Sequence, residues 1–452
     1  MDGVIAAVIT PMGVGAVGIV RLSGDGALMV ASRVFRSYSG RGLDEIPGFS
    51  GLLGQVYDSD GPIDEVIAYV YRAPRSYTGQ DVVELNCHGG EFGVRRVLRL
   101  CLDAGADIAQ AGEFTRRAFL NGKLDLAQAE SVAEIISAQG GDAMRAAMYG
   151  RKGALSRKVA EIESLLTMHL AEIAAWNDYP DEDLEPICTQ RLYADLSDAL
   201  DKLETLADGY ESGRILREGI TAVIFGRPNV GKSRLMNLLS GRERSIVTEH
   251  PGTTRDIVEQ RVNIKASPFT LADTAGIRNT SDPIESVGVR LALDMVESAD
   301  IILAVFDSSA PLSEDDEQVM AAVSGRRVVA VLNKTDLPSR LTPADLPFER
   351  VVQLSALNGN GRDRLETEII SAVGVGQIDP TAALVISERQ RLCIKAAAEN
   401  LRLAISALED GITLDAVCVC LESAVDELLA LTGKRVGEQV IEQVFANFCV
   451  GK

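Results

Sequence analysis

The rhythm of apolar and polar positions changes three times along the chain, and each change marks a change of architecture. From residue 1 to about 118, short runs that alternate at period two, such as "VGIVRL", "DEVIAYVY" and "DVVELNCHGG", are interleaved with stretches of helical period such as "EFGVRRVLRLCLDAG". A strand shows a core every second residue and a helix one stripe per turn, so this interleaving predicts an α/β domain. From "GEFTRRAFLNGKLDLAQAESVAEIISA" the pattern turns helical and stays so to about Gly213, with long runs near 142–176 and 188–212. Between about 216 and 375 the order becomes strand, Gly-rich loop, helix, then further alternation, as in a parallel sheet wrapped by helices. Amphipathic helices then resume in "ISERQRLCIKAAAENLRLAISALE", "LDAVCVCLESAVDELLALTG" and "GEQVIEQVFANFC". The expectation is a multidomain chain mixing α/β and all-α parts: an α/β domain over 1–118, a helical half over 119–215, an inserted α/β module over 216–375 and a second helical half over 376–452.

Composition narrows the classes. At 452 residues and 46% apolar content, the chain has room for about three domains with real cores. No apolar stretch approaches the roughly 20 residues that span a bilayer, and "MDGVIAAVITPMG" carries no cationic leader, so a cytoplasmic location is expected. The seven cysteines are odd in number and never spaced like zinc ligands, which predicts reduced thiols, most of them buried. The formal charge of −20 argues against a protein that coats nucleic acid unaided, so any RNA must be met locally or through a partner. Of the 45 basic residues only 10 are lysines, and four of these (Lys123, Lys232, Lys334, Lys452) fall inside the motifs below.

The strongest motif is "GRPNVGKS", Gly226 to Ser233, directly after the apolar run "ITAVIF" and opening "KSRLMNLLSG". This is a phosphate loop in its required context: backbone amides of Asn229, Val230 and Gly231 curl round a β-phosphate, Lys232 neutralises it, Ser233 Oγ ligates magnesium, and Arg234 follows on the helix. "DTAG" follows the strand "FTLA", so Asp273 is placed to hold magnesium through water and Gly276 to offer its amide to a γ-phosphate, with Thr274 and Ala275 between them. In "TEHPGTT", Thr248, Glu249, His250, Pro251, Gly252 and Thr253 lead to Thr254, the hydroxyl expected to ligate magnesium when the γ-phosphate is present. "NKTD" closes the strand "RRVVAVL": beside Asn333 and Lys334, the Asp336 carboxylate can accept from both guanine N1–H and N2–H₂, a pair adenine lacks. Ser355, Ala356 and Leu357 of "SALNGNG" then lie near the base oxygen. The ligand is GTP.

Hydrolysis is less plainly written. Many small GTPases carry a glutamine after "DTAG" to align the attacking water, and here Ile277 stands in that place. Glu285 is the candidate for that role, with Arg278 the alternative. Asn229 either braces the loop or ligates a monovalent cation whose charge replaces an arginine finger, an effect of roughly 10³ to 10⁵ in rate.

A GTPase module inside a helical domain, an N-terminal domain carrying "GVGAVGIVRLSG", "SYTGQDVVELNCHGG" and "GEFTRRAFLNGKLDLAQAE", and a "FCVGK" terminus together resemble the MnmE (TrmE) family of tRNA-modification GTPases over essentially the whole chain. The resemblance implies an N-terminal α/β tetrahydrofolate-binding-like domain and a helical domain interrupted by a Ras-like P-loop GTPase. It implies potassium-stimulated hydrolysis on dimerisation of the GTPase modules within a homodimer, with Asn229, Thr248, His250 and Thr253 as potassium ligands, some through backbone carbonyls, and Glu285 orienting the water. By the same resemblance Arg21, Glu84, Lys123 and Lys452 bind a folate, in the 5-formyl or 5,10-methylene form, that supplies one carbon to C5 of the wobble uridine of certain tRNAs. The product is the carboxymethylaminomethyl form with glycine as donor, or the aminomethyl form with ammonium. By the same resemblance FAD arrives on a partner, which in this family is MnmG, in a heterotetramer that also meets the tRNA. Two departures are visible: Gln80 replaces a usual acidic residue and Val450 a usual isoleucine.

The ending "FANFCVGK" keeps apolar residues almost to the last position. Phe445, Phe448 and Val450 are expected to dock the tail, bringing Cys449 and Lys452 to the folate pocket, where Cys449 is either a packed thiol or a functional one, as nucleophile or in a redox or positioning role. A rival class is a regulatory or ribosome-assembly GTPase; a folate requirement separates the two.

Overall fold

The computed structural model describes residues 3–178, 187–241, 258–265, 267–273, 293–374, 378–446 and 448–452. Two compact units emerge: Met1–Ile136, Met148–Asp208 and Ser387–Lys452 form one, Ser137–Ala147 and Gly209–Ile386 the other.

The first unit begins with a seven-stranded sheet in the order β3-β4-β5-β6-β2-β1-β7. The strands are β1 Ile5–Val8, β2 Val17–Ser23, β3 Phe35–Ser37, β4 Ser50–Asp58, β5 Gly61–Tyr71, β6 Val82–His88 and β7 Asp107–Ile108. All pair antiparallel except β1 with β7. Helices α1 (Ala27–Val34) and α2 (Glu91–Asp103) cover one face, burying Val30, Val34, Val94 and Val97 in the cluster that takes Val20, Leu22, Val83 and Leu85 from the sheet. Because successive side chains alternate, burying Val20 and Leu22 turns Arg21 to the opposite face, and burying Val83 and Leu85 does the same to Glu84.

Helices α3 (Glu113–Leu120) and α4 (Leu126–Ser137) follow, and beyond α5 (Gly141–Arg151) come the long α6 (Ala154–Asp178) and α7 (Thr189–Asp208). The stripe Leu192, Leu196, Ala199 and Leu203 is the buried face of α7, and it packs on the helix Glu388–Glu409, which returns from the second unit's segment. That helix packs in turn on Leu414–Thr432. The returning segment is pinned at its first turn. Glu130 of α4 accepts from Arg389 Nε (2.9 Å) and Nη2 (3.0 Å), Gln390 Nε2 (2.6 Å) and Ser387 Oγ (3.2 Å), so a carboxylate only 11% exposed leaves little bonding capacity unmet.

The second unit holds a six-stranded sheet in the order β13-β12-β11-β8-β10-β9. Its strands are β8 Ile220–Phe225, β9 Val258–Ile264, β10 Ser267–Asp273, β11 Ile301–Asp307, β12 Val328–Asn333 and β13 Val351–Gln353. All neighbours are parallel except β9 with β10. Every residue of β11 is buried, as expected of a parallel strand with apolar clusters on both faces. After β8 the chain builds one side of the sheet and then crosses to the other, so the ligand crevice is expected at the carboxyl end of β8. Among the described residues no helix is long and apolar enough to cross a membrane.

Candidate functional site

The carboxyl end of β8 runs into the loop 226–231 and then into the helix Lys232–Ser240. The loop is tightly wedged. Gly231 has φ +100, and a Cβ there would stand 2.3 Å from Asn333 Nδ2, so this position admits no side chain. Asn229 also takes a left-handed conformation, φ +65, at an exposed corner. Val230 is fully buried below it. Lys232 Nζ donates to Gly226 O (2.7 Å) and Arg227 O (3.0 Å), neutral acceptors that a phosphate would displace. Ser233 and Arg234 are exposed on the first turn of this helix, where the helix dipole favours an anion.

The residues expected to read the base assemble beside this loop. Asn333, 1% exposed at the end of β12, donates to Val230 O (2.8 Å) and accepts from Ala356 N (2.9 Å), tying the phosphate loop to the 355–357 loop. The Ala356 amide, expected near the base oxygen, is thus bonded to Asn333. Ser355 Oγ, buried, donates to Asp336 Oδ1 at 2.6 Å, which orients that exposed carboxylate and leaves Oδ2 for a ligand. Leu357 is 64% exposed. Asp273 ends β10 level with Ile224 of β8, which brings its backbone to the same strand ends. The Asp273 side chain lies outside the described residues, as do Thr248, Glu249, His250, Pro251, Gly252, Thr253, Thr254, Thr274, Ala275, Gly276, Ile277, Arg278 and Glu285.

A second constellation lies on the far face of the N-terminal sheet. Arg21 and Glu84 stand directly opposite in the β2–β6 register, and Arg21 Nε and Nη2 both reach Glu84 Oε1, at 2.8 and 2.7 Å. The Arg21 guanidinium lies 5.7 Å from the Tyr77 ring centroid and 5.6 Å from that of Phe114, and Tyr71 Oη donates to Glu84 Oε2 at 3.3 Å. Arg21 is therefore held by Glu84. Lys123 Nζ donates to Pro74 O (2.9 Å), and no described contact joins it to this pair. Gln80 Oε1 accepts from Arg117 Nη1 (3.2 Å), while Glu113 meets the Arg117 charge at 3.0 Å, so an uncharged amide suffices there.

The tail does dock beside these residues, though not wholly as expected. Phe445 and Phe448, 2% and 8% exposed, join Ala118, Leu126 and Val132 in one cluster. Val450 is 57% exposed, contrary to the expectation: the backbone bridge Ala111↔Val450 makes the contact, and the side chain stands outside the cluster, next to the exposed Cys449. Gly112 N donates to Cys449 O (3.4 Å) and Phe114 N to Lys452 O (3.1 Å). Gly451 has φ +96, and a Cβ there would lie 2.7 Å from Val8 O, so the segment must be bare at this point. Burial, and then the charge of Arg21, lower the Lys452 pKa against the opposing pull of Glu84 and Cys449. Cys449 is exposed. Only Cys87 and Cys101 are fully buried, fewer than expected, and burial pushes both thiols up to about 12, which leaves them inert. Among the described residues no cluster of His, Cys, Asp or Glu could hold a metal ion.

A phosphate loop and a guanine-reading loop on one parallel sheet, carried in a chain with its own α/β N-terminus and helical segments, define a multidomain P-loop GTPase. The family model described as the GTP-binding protein TrmE N-terminus matches residues 4–123, and that of the MnmE helical domain matches residues 126–449. The tRNA modification GTPase MnmE of Clostridioides difficile (strain 630) is 40% identical over 457 residues, covering 100% of both chains. That of Geobacillus kaustophilus (strain HTA426) is 41% identical over 461 residues, covering 99% of both. Among solved structures, Aquifex aeolicus Era bound to GDP and aluminium fluoride is 28% identical over 41% of this chain and 67% of its own, with a TM-score of 0.28. The chain belongs to the MnmE family of tRNA-modification GTPases.

Proposed function

We propose that this protein is the GTP-hydrolysing subunit of a homodimer that, with the FAD-carrying partner MnmG, adds a carboxymethylaminomethyl or aminomethyl group to C5 of the wobble uridine of certain tRNAs. The observation that carries the reading is the docked tail, which sets the Lys452 ammonium within electrostatic reach of the Arg21–Glu84 pair on a face ringed by Tyr71, Tyr77 and Phe114. A folate offers the matching groups. Its pterin donors suit the Glu84 carboxylate, its carboxylates suit Lys452 and Lys123, and the folate supplies the carbon that reaches uridine. Arg21 acts as the clamp that holds the Glu84 carboxylate in place.

In the GTPase module, Ser233 and Thr254 would hold magnesium directly and Asp273 through water, neutralising charge that develops on the transferred phosphoryl group. Asn229, with Thr248, His250 and Thr253, would hold potassium beside the β- and γ-phosphates, and Glu285 would orient the water. The left-handed corner at Asn229 is compatible with this role, because it places the residue at an exposed position of the loop. Steady-state turnover is expected to fall at least about tenfold when sodium replaces potassium, the cautious end of what a supplied cationic charge gives; equal rates in the two buffers would assign Asn229 to bracing the loop.

Mass spectrometry of wobble nucleosides tests the whole proposal. A strain lacking the protein should carry unmodified uridine at C5 of the target tRNAs and process its ribosomal RNA normally. Normal nucleosides together with accumulated ribosomal precursors would favour the regulatory alternative.

A further inference from the structure

An aspartate outside every motif completes the base-reading loop. Asp307 closes β11 and stands level with Asn333 in the parallel register of β11 and β12. It is 8% exposed, and both its oxygens are committed: Oδ1 accepts from Ser309 N (3.0 Å) and Ser309 Oγ (2.6 Å), and Oδ2 accepts from Lys334 Nζ at 2.7 Å. Burial raises the Asp307 carboxyl, but the hydrogen bonds from Lys334 and Ser309 outweigh it and hold the group below the usual carboxylate range. The Asp307 carboxyl is ionised at neutral pH.

Lys334 lies between Asn333, whose side chain joins the two walls of the base site, and Asp336, whose carboxylate faces the ring edge. Its φ of +67 turns it off the line of the strand. A lysine's four-carbon stem covers apolar surface while its ammonium stays with polar partners, so the anchor chosen by the ammonium fixes where the stem lies. The stem of Lys334, 29% exposed, thus runs from the loop that carries Asp336 to the Asp307 carboxylate.

We propose that Asp307 is a positioning residue for guanine-nucleotide binding: it anchors the Lys334 ammonium so that the lysine stem lies against one face of the bound purine, and it raises affinity without touching the ligand. The proposal rests on residues 333–336 as the base-reading loop and is independent of the tRNA chemistry. Packing on a ring face is blind to the substituents on the ring edge. Guanine and hypoxanthine nucleotides should therefore lose affinity alike when the anchor goes.

The test uses the full-length Asp307→Asn protein, whose amide oxygen can still accept from Ser309. Stopped-flow binding of fluorescent GDP and IDP should show Kd raised about tenfold for both, mostly through faster release, as expected for loss of one charge-assisted contact. In steady-state GTP hydrolysis KM should rise in step, while kcat changes by less than about twofold. Lys334→Met keeps an apolar stem and removes the ammonium, so adding Asp307→Asn to it should cost less than about a further twofold. Unaltered binding in Asp307→Asn overturns the proposal, and so does an undiminished tenfold loss on the Lys334→Met background, which would make Asp307 a brace of the strand end. Failure of the unsubstituted protein to bind guanine nucleotides would instead remove the base-site assignment itself.

Discussion

Asp336→Asn is expected to weaken GTP and GDP binding by about 10² to 10³-fold and to turn the site toward xanthine nucleotides. Ser355 Oγ already donates to Asp336 Oδ1 at 2.6 Å, so the carboxylate enters the complex oriented, with Oδ2 and the spare lone pair of Oδ1 available for guanine N1–H and N2–H₂. Asparagine has one acceptor and one donor in place of two acceptors. Its NH₂ would face the guanine N2–H₂, leaving two donors opposed and two charge-assisted bonds lost, each worth roughly 1.5–3 kcal/mol. Xanthine carries a carbonyl at that ring position, which the new amide matches. Ser355 can still donate to the asparagine oxygen, so the loop should keep its shape and the melting temperature should stay close to that of the parent. Competition of GTP and XTP against a fluorescent diphosphate measures the change. Affinity for GTP within about threefold of the parent would mean that the base does not lie against this carboxylate.

The phosphate loop and the base-reading loop were legible because their chemistry is local: two spaced glycines and a lysine after an apolar strand, and a carboxylate after another, need no knowledge of which strands are neighbours. Asp307 was not legible for the opposite reason. An aspartate ending an apolar strand reads as a turn residue, and only the placement of β11 beside β12 puts it on Lys334, 27 positions further along the chain. The same holds for Arg21 and Glu84. Alternation predicts the face each occupies, but their contact depends on β6 lying next to β2 rather than β5 or β1 on both sides, a choice made by long-range pairing. Glu130 and Arg389 are further apart still, separated by the entire second unit's α/β segment, and nothing in either local sequence announces the clasp. Val450 is exposed despite its hydrophobicity because a backbone bridge, which any side chain allows, holds that position.

Cys449→Ser should leave GTP turnover and folate binding within about twofold of the parent and reduce wobble-uridine modification by more than about a hundredfold, the usual lower bound for loss of a nucleophile or proton-transfer group. The tail is held by Phe445, Phe448 and backbone bonds to Gly112 and Phe114, none of which involves the thiol. Cys449 is exposed, so the exchange of sulfur for oxygen opens no cavity and leaves Lys452 in place. A role in packing is thereby weakened by the geometry, and a chemical role is what the substitution isolates, since an alkyl hydroxyl is a far poorer nucleophile than a thiol near neutral pH. Phe448→Ala is the matching control: it vacates a buried position beside Phe445 (ring centroids 5.3 Å apart), should undock the tail, and should lose folate binding and modification together. Retention of modified nucleosides in Cys449→Ser, with their loss in Phe448→Ala, would show that the tail acts by delivering Lys452 alone.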